Sequence, residues 1–291
     1  MIFYLAHKRN TSTMQAYLDT FASDLSEKIR PLAYQAVREP APGTYIFADL
    51  ERLKGRHAWR ADRLWHALDR AGYRLLNHPW QSMRRYRLLR HLYREGINTF
   101  NVFRPWERLW ERMNYPVFLR GENDHRGSLS GLIKAPADLS RQQLCHPRAL
   151  ITEFCDTRCS DGIYRKYSAM RIGERILPRH VFFSRQWMIK NADLCNNRLV
   201  AEELDFLNTN PHEKELMAIF QMARIDYGRI DYSLYKGRIQ VWEINTNPSV
   251  LTSNSLEIEQ RRIVAETFAG LFRAALLVLD EGSAAGAGRI F

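Results

Sequence analysis

Cysteine is scarce in this chain of 291 residues, and the four present do not fall into paired spacings. Cys155 and Cys159 stand four apart with no matching pair elsewhere, and Cys145 and Cys195 stand alone. That pattern excludes a disulfide framework and gives no zinc-ribbon spacing. Long apolar runs are missing too. The most apolar stretch, 268–279, is interrupted by Arg273 and falls short of the roughly 18–20 residues of a membrane span. The first residues, Met-Ile-Phe-Tyr-Leu-Ala-His-Lys-Arg, put charge after a short apolar run with no cleavage pattern, so they are read as a β-strand and not as a signal peptide. A reducing, cytoplasmic setting without a membrane partner is the expectation. Lysine is rare, 8 against 35 arginines. There is no glycine-rich phosphate loop, and no Ser-His-Asp or Cys-His arrangement points to a protein nucleophile.

The net charge is +11 and 45% of the residues are hydrophobic. The length allows two or three core-forming units. The charge predicts attraction to anions, either nucleotide phosphates or an acidic substrate. Arg84 to Arg94 is a basic helical stretch, but no recognised nucleic-acid motif accompanies it. A nucleic-acid partner is therefore the lesser expectation.

Periodicity divides the chain. Ile2–Leu5, Thr44–Ala48 and Tyr73–Leu76 read as strands, with helices over 13–28 and 58–71, so residues 1–76 form a small α/β unit. Residues 77–150 begin with Asn77-His78-Pro79 and a helix over 82–95 that Gly96 ends. An extended segment over 97–103 follows, then a strand, Tyr115–Arg120, and a polar loop from Gly121 to Ser130. Residues 151–281 continue from the strand Leu150–Cys155 into a hairpin over 162–183 with its turn at Gly173-Glu174. A helix over 212–223, a second hairpin and a closing helix over 255–279 complete the unit. Residues 282–291 have linker composition.

The second hairpin carries the most chemistry. In Arg229-Ile-Asp-Tyr-Ser-Leu-Tyr-Lys-Gly-Arg-Ile-Gln-Val-Trp-Glu-Ile-Asn-Thr-Asn-Pro248, Ile230, Tyr232 and Leu234 alternate with Arg229, Asp231 and Ser233. Lys236-Gly237 supplies the turn, and Ile239, Val241 and Ile244 carry the return strand. Glu243 and Asn245 stand two apart and so share a face. Hairpin pairing brings Asp231 beside them. Such a set of oxygens suits a hard cation, Mg²⁺, that shares its shell with phosphate and water.

The Arg-x-Asp, Glu-x-Asn and Asn-Pro elements of this hairpin resemble the metal-binding end of the ATP-grasp superfamily. The nearest group is that of the D-alanine–D-alanine, glutathione-synthetase and ribosomal-protein glutamate ligases. The resemblance covers about 77–280 and is strongest over 224–250. It implies an α+β ATP-grasp fold, in which two α+β subdomains clasp ATP after a small pre-ATP-grasp domain. It also implies ATP and Mg²⁺ as cofactors, with Asp231, Glu243 and Asn245 as metal ligands and Arg229 against transferred charge. Arg120 stands where many members have a phosphate-binding Lys; its fork carries the same charge with stricter geometry. Arg85, with Arg84 beside it, is the candidate for a second phosphate contact. The amides of Gly127, Ser128 and Leu129 are candidates for phosphate oxygens, and His125 for the substrate. Glu153, Phe154 and Cys155 match the adenine hinge, and Asp161 the ribose acid. Lys166, chosen over Arg165 and Arg171, and Lys190 complete the phosphate site.

The resemblance implies an ATP-dependent ligase that activates a carboxylate as an acyl phosphate and joins it to an amine. Its substrates would be small molecules or peptides. An ATP-grasp kinase, a nucleotide-binding protein without catalysis and an RNA-binding module are the alternatives. The sequence leaves the oligomeric state open, a homodimer included.

Overall fold

The computed structural model describes residues 1–123, 127–140, 145–146, 148–251 and 259–286. His125, the expected helix start at 255–258 and the chain end at 287–291 lie outside them. The first sheet contains β1 (Ile2–Ala6), β2 (Ile29–Ala33), β3 (Thr44–Phe47) and β4 (Arg74–Leu76), all parallel in the order β2-β1-β3-β4. Helices α1 (Ser12–Phe21) and α2 (Gly55–Arg70) connect them. β1 is buried along its whole length, which is why it reads as one apolar run and not as an alternation. Ile2, Tyr4 and Ala6 join the core that holds Met14 and Tyr17 of α1, while Phe3 and Leu5 pack with Tyr45, Phe47 and the Ala58, Ala61 and Leu68 face of α2. Two readings of this region change. The helix expected over 13–28 stops at Phe21 because Ala22 leaves helical geometry at φ −153°. The chain then forms β2, which Pro31 had hidden. Proline cannot donate to a ladder and is confined to edge strands, and β2 is an edge.

The second sheet is small and antiparallel, with β5 (Val102–Phe103), β6 (Val117–Gly121) and β7 (Ala149–Glu153) in the order β5-β7-β6. Helix α3 (Arg85–Arg94) precedes it. The third sheet has β8 (Tyr164–Ile172), β9 (Arg175–Ser184), β10 (Tyr227–Tyr235) and β11 (Arg238–Asn245) in the order β11-β10-β8-β9, antiparallel throughout. Helices α4 (Asn197–Thr209), α5 (Glu213–Ala223) and α6 (Glu259–Gly286) belong to this half. Helix α4 was not anticipated, although Asn196 caps it by accepting the Leu199 N–H at 3.0 Å. Helix α6 runs beyond Leu279 into the expected linker. Among the described residues no helix is long and apolar enough to cross a membrane.

Two register shifts shape the third sheet. Between β10 and β11 the pairing passes from Asp231↔Glu243 to Tyr232↔Val241, leaving Trp242 as the extra residue. Between β8 and β9 it passes from Ser168↔His180 to Ala169↔Pro178, leaving Arg179 extra. Bulges re-aim side chains and recur beside functional sites.

One side chain ties the first sheet to the third. Asn77 is buried, in the left-handed region at φ 66°. Its Nδ2 donates to the carbonyls of Phe47 (3.1 Å) and Tyr227 (2.8 Å). Its Oδ1 accepts from the amides of Asp226 (2.7 Å) and Tyr227 (3.0 Å). Asn77→Ala strands these groups and is expected to cost about 3 kcal/mol or more, measured by urea unfolding. A loss below about 1 kcal/mol would show that water replaces the amide.

Candidate active site

A cavity of about 320 Å³ lies between the second and third sheets. One end is apolar, formed by Phe118, Phe154, Cys155, Trp187, Met188 and Ile189. Trp187 packs edge-on against Phe118 and Phe154, with ring centroids at 4.9 and 5.5 Å. The other end is charged, with Arg120, Lys166, Lys190, Arg229, Asp231 and Glu243. Four cations face two carboxylates there, leaving an excess of two positive charges.

The carboxylates come from the bulged hairpin. Asp231 and Glu243 are cross-strand partners, and Arg229 pairs with Asn245 one position along the same face. The bulge at Trp242 separates the parity of Val241, which is buried in the core, from that of Glu243, which faces the cavity. It also turns Trp242 to the cavity wall, where its Nε1 donates to Ser233 Oγ at 2.9 Å and its ring stacks on Phe100. Asp231 Oδ1 accepts from Ser168 Oγ at 2.7 Å and from Arg229 Nε at 2.9 Å. Glu243 Oε2 is ion-paired with both Arg85 and Arg120, the latter at 2.9 Å. Asn245 Oδ1 accepts the Asn247 N–H at 2.8 Å. The candidate donor atoms are all oxygens, and Asp231 and Glu243 bring carboxylates to the cavity edge, so the set fits a hard cation. Arg85, Arg120 and Arg229 are the charge partners of these two carboxylates.

The remaining expected site residues divide into those at the cavity and those away from it. Arg120 lines it and also donates to the Trp242 carbonyl at 3.2 Å. Lys166 lines it, its Nζ donating to Ile189 O at 2.7 Å and lying over the Phe182 ring. Burial holds its ammonium below the ordinary lysine range, with Asp231 opposing the shift. Lys190 lies against Gly127, whose φ is 92° and where a Cβ would collide with Lys190 Cε. The positive φ is what calls for glycine there.

Arg85 is buried beneath the cavity, between Gly121 O (2.6 Å) and Glu243, and does not reach the lining. The Glu153 carboxylate is committed to the amides of Asn101 (2.9 Å) and Asn114 (2.7 Å), so only the hinge residues after it, Phe154 and Cys155, reach the cavity. Asp161 is exposed and paired with Arg165 at 2.8 Å, outside the lining. Arg165 holds its carboxyl down to about 2. Arg171 is buried against Asp226 and Ile225 O. The Leu129 amide donates to Leu119 O at 2.6 Å and is not open to a ligand.

Ser168, Ser233, Thr157, Trp187 and Trp242 were not foreseen. Two had a signal: Ser233 alternates on the face of Arg229 and Asp231, and Trp242 stands in the switch of apolar parity from Val241 to Ile244. A separate group, Asp62, His66 and His78, brings ligand-type atoms within 4.8 Å of one another on and beside α2. His78 Nδ1 accepts the Trp80 N–H, which puts the proton of the neutral ring on Nε2.

No family model and no curated protein matches the sequence. Solved structures do. D-alanine–D-alanine ligase from Bacillus anthracis complexed with ATP superposes with a TM-score of 0.54 at 14% identity, over 96% of this chain and 98% of that one. The ATP-grasp ligase PsnB complexed with a minimal precursor gives 0.51 at 12% identity, over 94% and 99%. The chain has the ATP-grasp fold. In ATP-grasp terms the second and third sheets are the two α+β subdomains, with the cavity between them. At this identity the likeness fixes the fold alone.

Arg120 gives a direct test of the charged end. Arg120→Ala is expected to raise the apparent KM for ATP roughly tenfold or more, the scale of a lost charge-assisted hydrogen bond, and to lower kcat with it. Arg120→Lys should restore part of the loss, because charge survives while the fork does not. Initial-rate kinetics decide it, and an unchanged KM would remove Arg120 from nucleotide binding.

Proposed function

We propose that the chain is an ATP- and Mg²⁺-dependent ligase that joins a carboxylate to an amine. The observation that carries this reading is the polarity of the cavity. Its apolar end has the character of a purine site, and its charged end gathers four cations and two carboxylates. Phe118, Phe154 and Trp187 would hold the base. Arg120, Lys166 and Lys190 would bind and align the phosphates. Arg229, beside Asp231, would face the charge that moves in transfer. Asp231, Glu243 and Asn245 would hold Mg²⁺, which neutralises charge on the phosphates when bound.

The carboxylate oxygen attacks the γ-phosphorus and ADP departs. The amine nitrogen then attacks the acyl carbon, the bond to phosphate breaks and an N–H proton is released. Both steps are served by alignment and electrostatics, so the lack of a protein nucleophile is consistent with them. Small-molecule or peptide carboxylates and amines are the substrate classes.

The test is turnover of ATP by the purified protein with Mg²⁺ and pools of amino acids, small carboxylates and amines, with mass spectrometry of the products. Equimolar ADP and phosphate with an amide product is the expected result. ADP without phosphate would establish a kinase. Nucleotide binding without turnover under any pool would establish a non-catalytic binding protein.

A further inference from the structure

The cation excess does not end at the cavity. On the edge strand β9, His180 stacks on Phe182 with ring centroids at 3.9 Å. Lys166 and Arg261 both lie over that Phe182 ring, at 5.3 and 5.0 Å. Arg179, the extra residue of the β8–β9 bulge, stands next to His180. Four cations therefore cluster from the cavity to this edge: Lys166, Arg229, Arg261 and Arg179. Two carboxylates are already taken, Asp231 by Arg229 and Glu203 by Arg261. Burial and the neighbouring Arg229 and Arg261 charges both push the Arg179 guanidinium below its ordinary value. The cluster favours an incoming anion.

Arg179 is arranged to receive one. Its Nε donates to Val250 O at 3.0 Å, and its planar group lies over the Phe268 ring at 4.6 Å. One edge and one face are thereby fixed. The two terminal nitrogens have no partner among the described residues, and the side chain is only half-buried. A guanidinium held in this way presents a bidentate fork whose orientation is already set. The bond to Val250 places it beside the described segment 249–251. Its strand is two positions from β10, which carries Asp231, a separation on the order of 10 Å at ordinary strand spacing.

We propose that Arg179 binds a second anionic group, a carboxylate, on the substrate whose reacting end lies at Arg229 and Asp231, so that the ligase acts on dicarboxylic compounds. This rests on the ligase reading and adds the substrate class to it. The bulge is what delivers the residue, since it inserts Arg179 next to His180, the cross-strand partner of the Ser168 whose Oγ donates to Asp231.

The experiment is a calorimetric titration of the full chain, with Mg²⁺ and a non-hydrolysable ATP analogue, using matched probes. These are succinate against succinamate, and the dipeptide Glu-Glu against Gln-Gln. O-phosphoserine against serine is a third pair that separates carboxylate from phosphate recognition. At least one carboxylate pair is expected to show about tenfold tighter binding of the more anionic member. In Arg179→Met that ratio should fall to about one, while Arg179→Lys keeps part of it. A control, Arg60→Met on the exposed side of α2, should leave the ratio unchanged, which separates the fork from the general +11 charge. Equal binding within both carboxylate pairs, a preference confined to the phosphate pair, or a preference that survives Arg179→Met overturns the proposal. Nucleotide affinity is measured on the same samples with a fluorescent ATP analogue. Its absence in the unaltered protein would sink the ligase reading and this inference together, whereas nucleotide binding without a dianion preference sinks the inference alone.

Discussion

Glu243→Gln is expected to lower turnover by on the order of 10³ and to destabilise the protein at the same time. The first effect follows from the loss of a carboxylate ligand where metal and phosphate charge must be balanced, a contribution of several kcal/mol. The second follows from the ion pairs that Glu243 makes. In the structure Glu243 is buried and neutralises two arginines, Arg85 and Arg120, whose side chains are 4% and 14% exposed. Breaking a buried pair from one side costs about 3–5 kcal/mol. The amide keeps part of the hydrogen bonding, so about 3 kcal/mol and a fall in Tm on the order of 5–10 °C are expected. Steady-state kinetics and thermal unfolding read the two effects separately. Near-normal kcat would remove Glu243 from the metal set, and an unchanged Tm would show that the arginines find other partners.

Arg229→Ala is expected to act on rate and to spare affinity. Arg229 reaches the cavity from β10 and is tied to Asp231 through Nε at 2.9 Å. That tether aims the guanidinium at the edge where Asp231 and Glu243 meet, at the charged end of the cavity. Loss of a donor aimed at developing charge lowers kcat roughly 10²–10³-fold. Nucleotide affinity should stay within about threefold, because Arg120, Lys166 and Lys190 remain. Single-turnover rates and nucleotide titration make the comparison. Abolished ATP binding with unchanged kcat at saturation would place Arg229 in ground-state binding and weaken the ligase reading.

The hairpin of β10 and β11 could be read from the sequence because its signals are local. Lys236-Gly237 both adopt positive φ at the turn, and alternation fixed which residues share a face. Parallel strands such as β1 and β3 were visible as apolar runs. What escaped was non-local. The Glu153 carboxylate finds its donors 39 and 52 residues away, so nothing near it showed that its side chain was already committed. Arg85 and Asp161 differ from Lys166 only in what the fold brings to them. The apolar end of the cavity is assembled from the strand β6, the segment after β7 and the loop after β9, and no spacing rule connects those residues. One parity shift was present in the sequence, at Val241 to Ile244, and it marked the bulge beside the cavity.

The bond network around Asn77 bears on how the molecule can be divided. Asn77 joins β3 to β10, Tyr4 and Thr13 donate to Asn247, and Glu51 accepts from Thr246. Ile2, Tyr4 and Ala6 share one core with Ile230 and Phe268. The first sheet is thus an internal wall of the half that holds the third sheet and not a detachable module. A chain cut at residue 77 would expose an apolar face and lose the groups that hold the loop after Asn245. Shuffling this N-terminal unit between ATP-grasp proteins would therefore require the loop at 246–251 to travel with it.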